Sequence, residues 1–214
     1  MGNGKSRKKL KMLSQIHGEK CWPLVEKMSP CEEACPIHMD IPSYIIALSQ
    51  GKFKEAVDVV RDTNPFPSIC GRICHHPCEE ACTRSLIDRP LAIEYLKRFI
   101  GQYEQSNGTR VKRVKRRKEE KIAVIGSGPA GLTAAHDLVK KGYGVTVYEA
   151  LPVAGGMLAA GIPEFNLPNE VVEKDIHYIR SLGVDIKTNM KIGQELAIAD
   201  LWGQGYSVIL LATG

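Results

Sequence analysis

The feature that most constrains this fold is a strand, a glycine turn and a helix in immediate succession. KIAVI (121–125) is a short apolar run, GSGPAG (126–131) follows it, and PAGLTAAHDLVKKG (129–142) carries apolar residues at helical spacing and stops at a glycine. Gly126, Gly128 and Gly131 fill the G-x-G-x-x-G pattern. One glycine makes a tight turn, one lets backbone approach a pyrophosphate, and one packs helix against strand. Pro129 and Ala130 then occupy the first turn of the helix, where free N–H groups and the positive dipole end suit phosphate. GVTVYEA (144–150) reads as a second strand ending in Glu149, 18 residues past Gly131, an acid placed to accept ribose hydroxyls. EVVEKDIHYIRSLG (170–183) reads as a helix, and VDIKTN (184–189) and SVILLATG (207–214) read as strands. That alternation predicts a parallel sheet with crossover helices.

The fingerprint by itself leaves FAD and NAD(H) open. The following loop, LPVAGGMLAAGIPEFNLP (151–168), puts Gly155, Gly156 and Met157 just after the acid, where backbone would pass close to a flavin's diphosphate and ribityl chain. Thr213 and Gly214, at the end of the last strand, are expected to face the same crevice.

Upstream, the chain is organised around cysteine. CGRICHHPCEEAC (70–82) repeats the thiol every fourth residue, at Cys70, Cys74, Cys78 and Cys82, and Cys31, Cys35 with Pro36, and Cys21 precede it. Seven cysteines with no apolar segment behind the basic N-terminus argue against a secreted disulfide scaffold and for metal or redox use in a reducing, cytoplasmic setting. Closely grouped thiolates followed by proline suit iron–sulfur clusters. Zinc, which favours paired C-x-x-C knuckles, is the alternative. His75 and His76, next to Pro77, read as residues that shape the loop. IPSYIIALSQ (41–50), FKEAVDVVRD (53–62) and LAIEYLKRFIGQY (91–103) read as helices joined by Pro-rich turns such as NPFPS (64–68).

The net charge of +5 is concentrated in residues 1–12 and 110–121, which read as solvated, mobile runs. They lack the interleaved aromatics of a nucleic-acid arm, and no apolar run approaches the roughly 18–20 residues of a membrane span. The expected organisation is α + α/β: a basic segment (1–20), a helical iron–sulfur domain (21–109), a basic linker (110–120), and a partial Rossmann-type FAD-binding sheet (121–214).

Several stretches together resemble one family. KIAVIGSGPAGLTAAHDL, YEA, GGML, GIPEFNLP and LATG, with PCEEACPIHMDIPSYI, NPFPSICGRICHHPCEEAC and RPLAIEYLKRF before them, are similar to the FAD-binding half of the glutamate synthase small-subunit family. That family includes the N-terminal part of dihydropyrimidine dehydrogenase. The resemblance implies two [4Fe–4S] clusters beside an FAD. It implies that Cys31 and Cys82 serve one cluster and Cys35, Cys74 and Cys78 the other, with Cys70 on a position usually present but not a ligand. Three departures stand out. The family's early C-x-x-C is replaced by Cys21 alone, whose missing partner is His17 or Cys70. The Gln or Glu that completes the second cluster aligns with Lys97, leaving Glu94, one turn earlier, as a substitute. Asn166 stands where an arginine is common.

The family's second nucleotide domain is expected after the LATG strand, so the sequence reads as a fragment or a split protein that does not oxidise NADPH alone. No general base or nucleophile suggests itself. The expected function is an electron-transfer subunit or module between FAD and [4Fe–4S] clusters in an NAD(P)H-linked oxidoreductase, with other redox subunits supplying the NAD(P)H-binding domain or the acceptor. The alternative is a non-catalytic assembly subunit with an empty nucleotide half-site.

Overall fold

The computed structural model describes residues 28–108 and 113–214. The N-terminal basic segment, His17 and Cys21 lie outside the described residues. The helical half runs through α1 (Pro30–Ala34), α2 (Ile41–Ser49), α3 (Phe53–Thr63), α4 (Pro67–Ile73), α5 (Pro77–Glu80), a 3-10 turn (Thr83–Leu86) and α6 (Ile93–Asn107). Proline stands in the first turn of α1, α2, α4 and α5, where its missing N–H costs nothing. Met39, Ile41, Tyr44, Ala47, Ala56, Val60, Ile93 and Ile100 form a core into which Cys35 and Cys78 are also buried. Helices α4 and α6 touch at two glycines. A Cβ on Gly71 would lie 2.6 Å from the Cα of Arg98, and one on Gly101 would lie 2.5 Å from Ser68 Oγ. Backbone contact that close sets the middle of α6 against the start of the cysteine run.

The second half holds β1 (Lys121–Ile125), α7 (Pro129–Lys140), β2 (Gly144–Tyr148), α8 (Met157–Ala160), α9 (Asn169–Leu182), β3 (Asp185–Lys187), α10 (Ile198–Gly203) and β4 (Tyr206–Leu211). The sheet is parallel in the order β3-β2-β1-β4. This is the Rossmann-like arrangement expected from sequence. Four of the five β1 residues are buried, as a central parallel strand covered on both faces requires. One face of α9, with Val171, Val172, Ile176, Ile179 and Leu182, packs into the same core, and the helix ends at Gly183 in a left-handed conformation.

Three expectations are corrected in detail. The last helix of the first half runs over Ile93–Asn107, not 91–103, and NPFPS leads straight into α4 where only a turn was expected. Residues 113–118 are not a free run. The Val114 amide donates to Leu182 O, the Arg117 and Lys118 amides donate to Gly142 O, and Lys118 Nζ donates to the Tyr143 hydroxyl. The charged side chains are solvated there while the main chain is tied to the Rossmann half.

The two halves share packing. Phe66 and Ile69 belong to the same core as Val124, Leu132 and Ile179. At their junction Arg61, from α3, is 7 % exposed and meets two carboxylates. Its Nη2 lies 2.6 Å from Glu104 Oε2 and 2.9 Å from Asp175 Oδ1, its Nε donates to Glu104 as well, and its plane lies 3.8 Å from the Tyr178 ring centroid. The other oxygen of Asp175 accepts from the amides of Ser68 and Ile69, each at 3.1 Å. Helix α4 has no side-chain cap of its own, so a residue of α9 caps it from the other half. Burial opposes the Arg61 charge, but Asp175 and Glu104 outweigh it and push its pKa up. Burial also pushes the Asp175 carboxyl up, against Arg61 and the Ile69 amide. Its hydrogen-bond partners there, Arg61 and the Ser68 and Ile69 amides, are all donors, while the Glu104 carboxylate nearby adds to the upward push.

Candidate functional site

The glycine turn is shaped by close approaches. Gly126 has φ +106°, and a Cβ there would sit 2.1 Å from Ala212 O, at the end of β4. A Cβ on Gly131 would sit 2.1 Å from Gly126 O, so α7 rests directly on the turn. Gly128 is different. Its φ of −66° is ordinary, and a Cβ there would meet nothing within 4 Å. The turn therefore leaves an open cradle over Gly128, at the N-terminus of α7, where a diphosphate fits. Pro129 and Ala130 are exposed beside it.

Glu149 closes one end of the cradle. Its Oε2 accepts from the Ser127 amide at 3.0 Å and from the Ser127 hydroxyl, and its Oε1 accepts from the Leu151 amide at 2.9 Å. Burial alone would raise this carboxyl, but those hydrogen bonds win and hold it below its usual value. Oε2 is filled by its two donors. The Ala150 amide also acts on this carboxylate. Ser127 went unremarked in the sequence, although it lies inside GSGPAG. Its hydroxyl also accepts from the Gly155 amide at 3.0 Å, which ties the 151–156 loop to the glycine turn. Gly156 (φ +53°) passes beside Gly128, away from that open side, so closely that a Cβ on it would lie 2.9 Å from the Gly128 Cα. Met157, just beyond, is 70 % exposed. Thr213 lies against Gly126, and both it and Gly214 are exposed. Gly126, Gly128, Gly131, Glu149, Gly155, Gly156 and Thr213 thus lie together at the carboxyl ends of β1, β2 and β4.

The cysteines gather more loosely. Cys35, Cys78 and Cys82 are buried, and Cys31, Cys70 and Cys74 are half-buried, all as free thiols. Packing of α1 against α5 sets Cys31 and Cys35 on the Cys78 side of the core. Burial pushes the Cys78 thiol up to about 11, Lys97 works against that, and the nearby Cys35 and Cys74 add to it. Metal binding there has to displace protons. Cys74 Sγ accepts from the His76 amide at 3.4 Å, and the Ser29 hydroxyl lies 3.2 Å from Cys31 Sγ. Cys70 is set apart. It packs against the Rossmann core and donates to Asn64 Oδ1 at 3.8 Å, and burial raises its pKa.

Glu94 is engaged elsewhere than at a thiol. Its Oε2 lies 3.1 Å from His76 Nδ1, which also lies 3.0 Å from Cys74 O. Both neighbours are acceptors, so Nδ1 carries the ring proton. His76 itself adopts φ +46°, and with Glu94 it holds the 74–76 corner. Among the described residues, no three Cys, His, Asp or Glu side chains converge as one metal ion would require, and no helix is long and apolar enough to cross a membrane.

Two family models match the chain. Residues 11–109 match the family model described as dihydropyrimidine dehydrogenase domain II, 4Fe-4S cluster. Residues 124–190 match an NAD(P)-binding Rossmann-like domain. The NADP(+)-dependent formate dehydrogenase subunit beta of Moorella thermoacetica is 41 % identical over 87 % of this chain and 29 % of its own length. The NAD-dependent dihydropyrimidine dehydrogenase subunit PreT of Salmonella typhimurium is 38 % identical over 87 % of this chain and 45 % of its own. The glutamate synthase [NADPH] small chain of Bacillus subtilis is 38 % identical over 84 % and 36 %. The chain thus spans less than half the length of each of these relatives.

Proposed function

We propose, for a chain that belongs with the glutamate synthase small chains and PreT to the family joining a 4Fe-4S domain to a Rossmann-like domain, that it is an electron-transfer module working inside a larger NAD(P)H-linked oxidoreductase. The observation that carries this reading is helix α4. Its first amides are capped by Asp175 of the Rossmann half, and Cys74 closes its far end. A seven-residue helix is about 10 Å long, so one rigid piece links the nucleotide half to the thiols.

The thiol set suits a cluster better than a zinc ion. Zinc needs four donors at about 2.0–2.3 Å from a single centre, whereas a [4Fe–4S] cluster is held by four cysteine thiolates spread over several irons. Cys35, Cys74 and Cys78 would hold one cluster. Cys31 and Cys82 would contribute to a second, with Cys21 available from the preceding segment. For the nucleotide we propose FAD, because the Gly155–Gly156 backbone lies beside the cradle and would run along the diphosphate and ribityl chain. When bound, FAD would exchange electron pairs with a nicotinamide and single electrons with a cluster. The protein's own part is to hold and orient. The α7 amides bind diphosphate, Glu149 receives a ribose hydroxyl, Ser127 fixes the covering loop, and the His76 amide donates to a thiolate sulfur, which tunes potential. Another redox subunit or domain would supply the NAD(P)H site or take the electrons.

The choice of nucleotide is tested by titrating anaerobically purified protein with FAD and, separately, with NADP+, following flavin and tryptophan fluorescence. FAD is expected to bind at least about tenfold more tightly, a difference of about 1.4 kcal/mol. Tighter binding of NADP+ would overturn the flavin assignment. Binding of neither would favour an assembly subunit with an empty half-site.

A further inference from the structure

His136, on α7, is a fully buried imidazole with one nitrogen unused. Its Nδ1 lies 2.8 Å from Asp137 Oδ1, a carboxylate that is itself largely exposed, so Nδ1 carries the ring proton. Its Nε2 is buried and has no hydrogen-bond partner among the described residues. A lone pair left unpaired in the interior is a modest loss, whereas a charged ring with an N–H that meets no acceptor is a severe one. The pocket is shaped for the neutral ring.

The ring sits where the two halves of the chain meet. The Tyr178 ring of α9 lies 6.0 Å from it, centroid to centroid, and the Arg61 guanidinium of α3 lies 3.8 Å from the same tyrosine centroid. Lys140, one turn along α7, donates to Asp62 O at 2.8 Å and lies 3.4 Å from Asp62 Oδ1, so α7 touches α3 directly. The carboxylates nearby have partners of their own. Glu104 and Asp175 hold Arg61, Asp62 meets Lys140, and Asp137 holds Nδ1. Asp58, on α3, acts on Tyr178 and does not bond to Nε2. A charged His136 would therefore be a third cation beside Arg61 and Lys140 at this contact. Burial lowers its pKa most, Asp137 works against that, and Lys140 and Arg61 lower it further.

We propose that His136 makes the junction of the two halves sensitive to pH: the neutral ring lets α7 lie against α3, and a second ring proton drives them apart. The open form takes that proton near the ordinary histidine value of about 6.5. The closed form does not, so the junction is at full strength above that value and weakens as the pH falls below it. Helix α4 depends on the same contact, because Asp175 caps it while Arg61 holds Asp175. Acid would thus loosen α4 from the Rossmann half while the sheet stays folded. None of this depends on what the thiols or the glycine turn hold.

The test is hydrogen–deuterium exchange of the full chain at pH 7.5 and pH 5.5, with labelling times scaled for the intrinsic rate of amide exchange. Mass spectrometry compares peptides of α4 with peptides of β1. The opening equilibrium of α4 should rise about tenfold from the higher pH to the lower, the factor by which protonation favours an open form with an ordinary histidine. The β1 strand should change by less than about twofold, and so should α4 in His136→Gln and His136→Phe, which cannot take the proton. Unchanged protection of α4 in the unaltered protein would overturn the proposal. Equal loosening of β1 would make His136 an ordinary core residue and overturn it as well. A tenfold change that survives in both variants would assign the effect to the junction carboxylates instead. If neither variant folds, proton magnetic resonance of the unaltered protein decides. One of its six imidazoles must remain neutral at pH 5.5, and six charged rings there would overturn the proposal.

Discussion

Arg61→Met is expected to lower the unfolding free energy by about 3–5 kcal/mol, the usual cost of breaking a buried ion pair from one side. The guanidinium is the only described group that faces both Glu104 and Asp175. Without it two carboxylates are left close together in the interior, and its contact with the Tyr178 ring is lost as well. Asp175 would keep the Ser68 and Ile69 amides, so the cap on α4 would survive while the charge balance fails. Urea unfolding followed by far-ultraviolet circular dichroism measures the change. Replacing Glu104 by glutamine in the same chain should restore part of the loss, since one of the stranded charges is then gone. A loss below about 1 kcal/mol, the range of exposed pairs, would mean that the junction is held by apolar packing alone.

Gly128→Ala is expected to leave the fold nearly untouched and to weaken dinucleotide binding by roughly 100-fold or more. The backbone there already has angles that alanine adopts, and the added methyl meets no protein atom within 4 Å. Its cost to stability is that of a poorer helix cap, about 1 kcal/mol or less. The space it fills is the space a diphosphate needs, and hydrogen bonds to a charged group contribute about 1.5–3 kcal/mol each. Gly131→Ala is the contrasting change. Its methyl would sit 2.1 Å from Gly126 O, so folding suffers before binding can be asked about. Fluorescence titration with FAD, paired with a thermal melt of each variant, separates the two cases. A Gly128→Ala protein that binds FAD normally would show that the nucleotide does not cross this turn.

The Rossmann half was legible because its signals are local. A buried strand, three glycines and a helix start all fall within residues 121–131, and each has a conformational reason to be there. The helical half was less so. Seven-residue α4 is too short to show a period, and what caps it is Asp175, 107 positions away from Ser68, for which no neighbouring residue gives a sign. The same is true of α6, which continues past Tyr103 to Asn107 and so keeps Glu104 within the helix to meet Arg61. The basic run at 113–118 read as solvent-facing from its charge, whereas its amides bond to carbonyls of Leu182 and Gly142, which composition cannot reveal. The cysteine spacing pointed to a metal group.

The central claim, that this chain carries iron–sulfur electron carriers beside a nucleotide site, is met most directly by counting iron and acid-labile sulfide per chain in protein purified without oxygen. About four of each is expected if the Cys35, Cys74 and Cys78 set alone is filled, and about eight if the Cys31 and Cys82 set is filled too. Zinc bound in the absence of sulfide would contradict it.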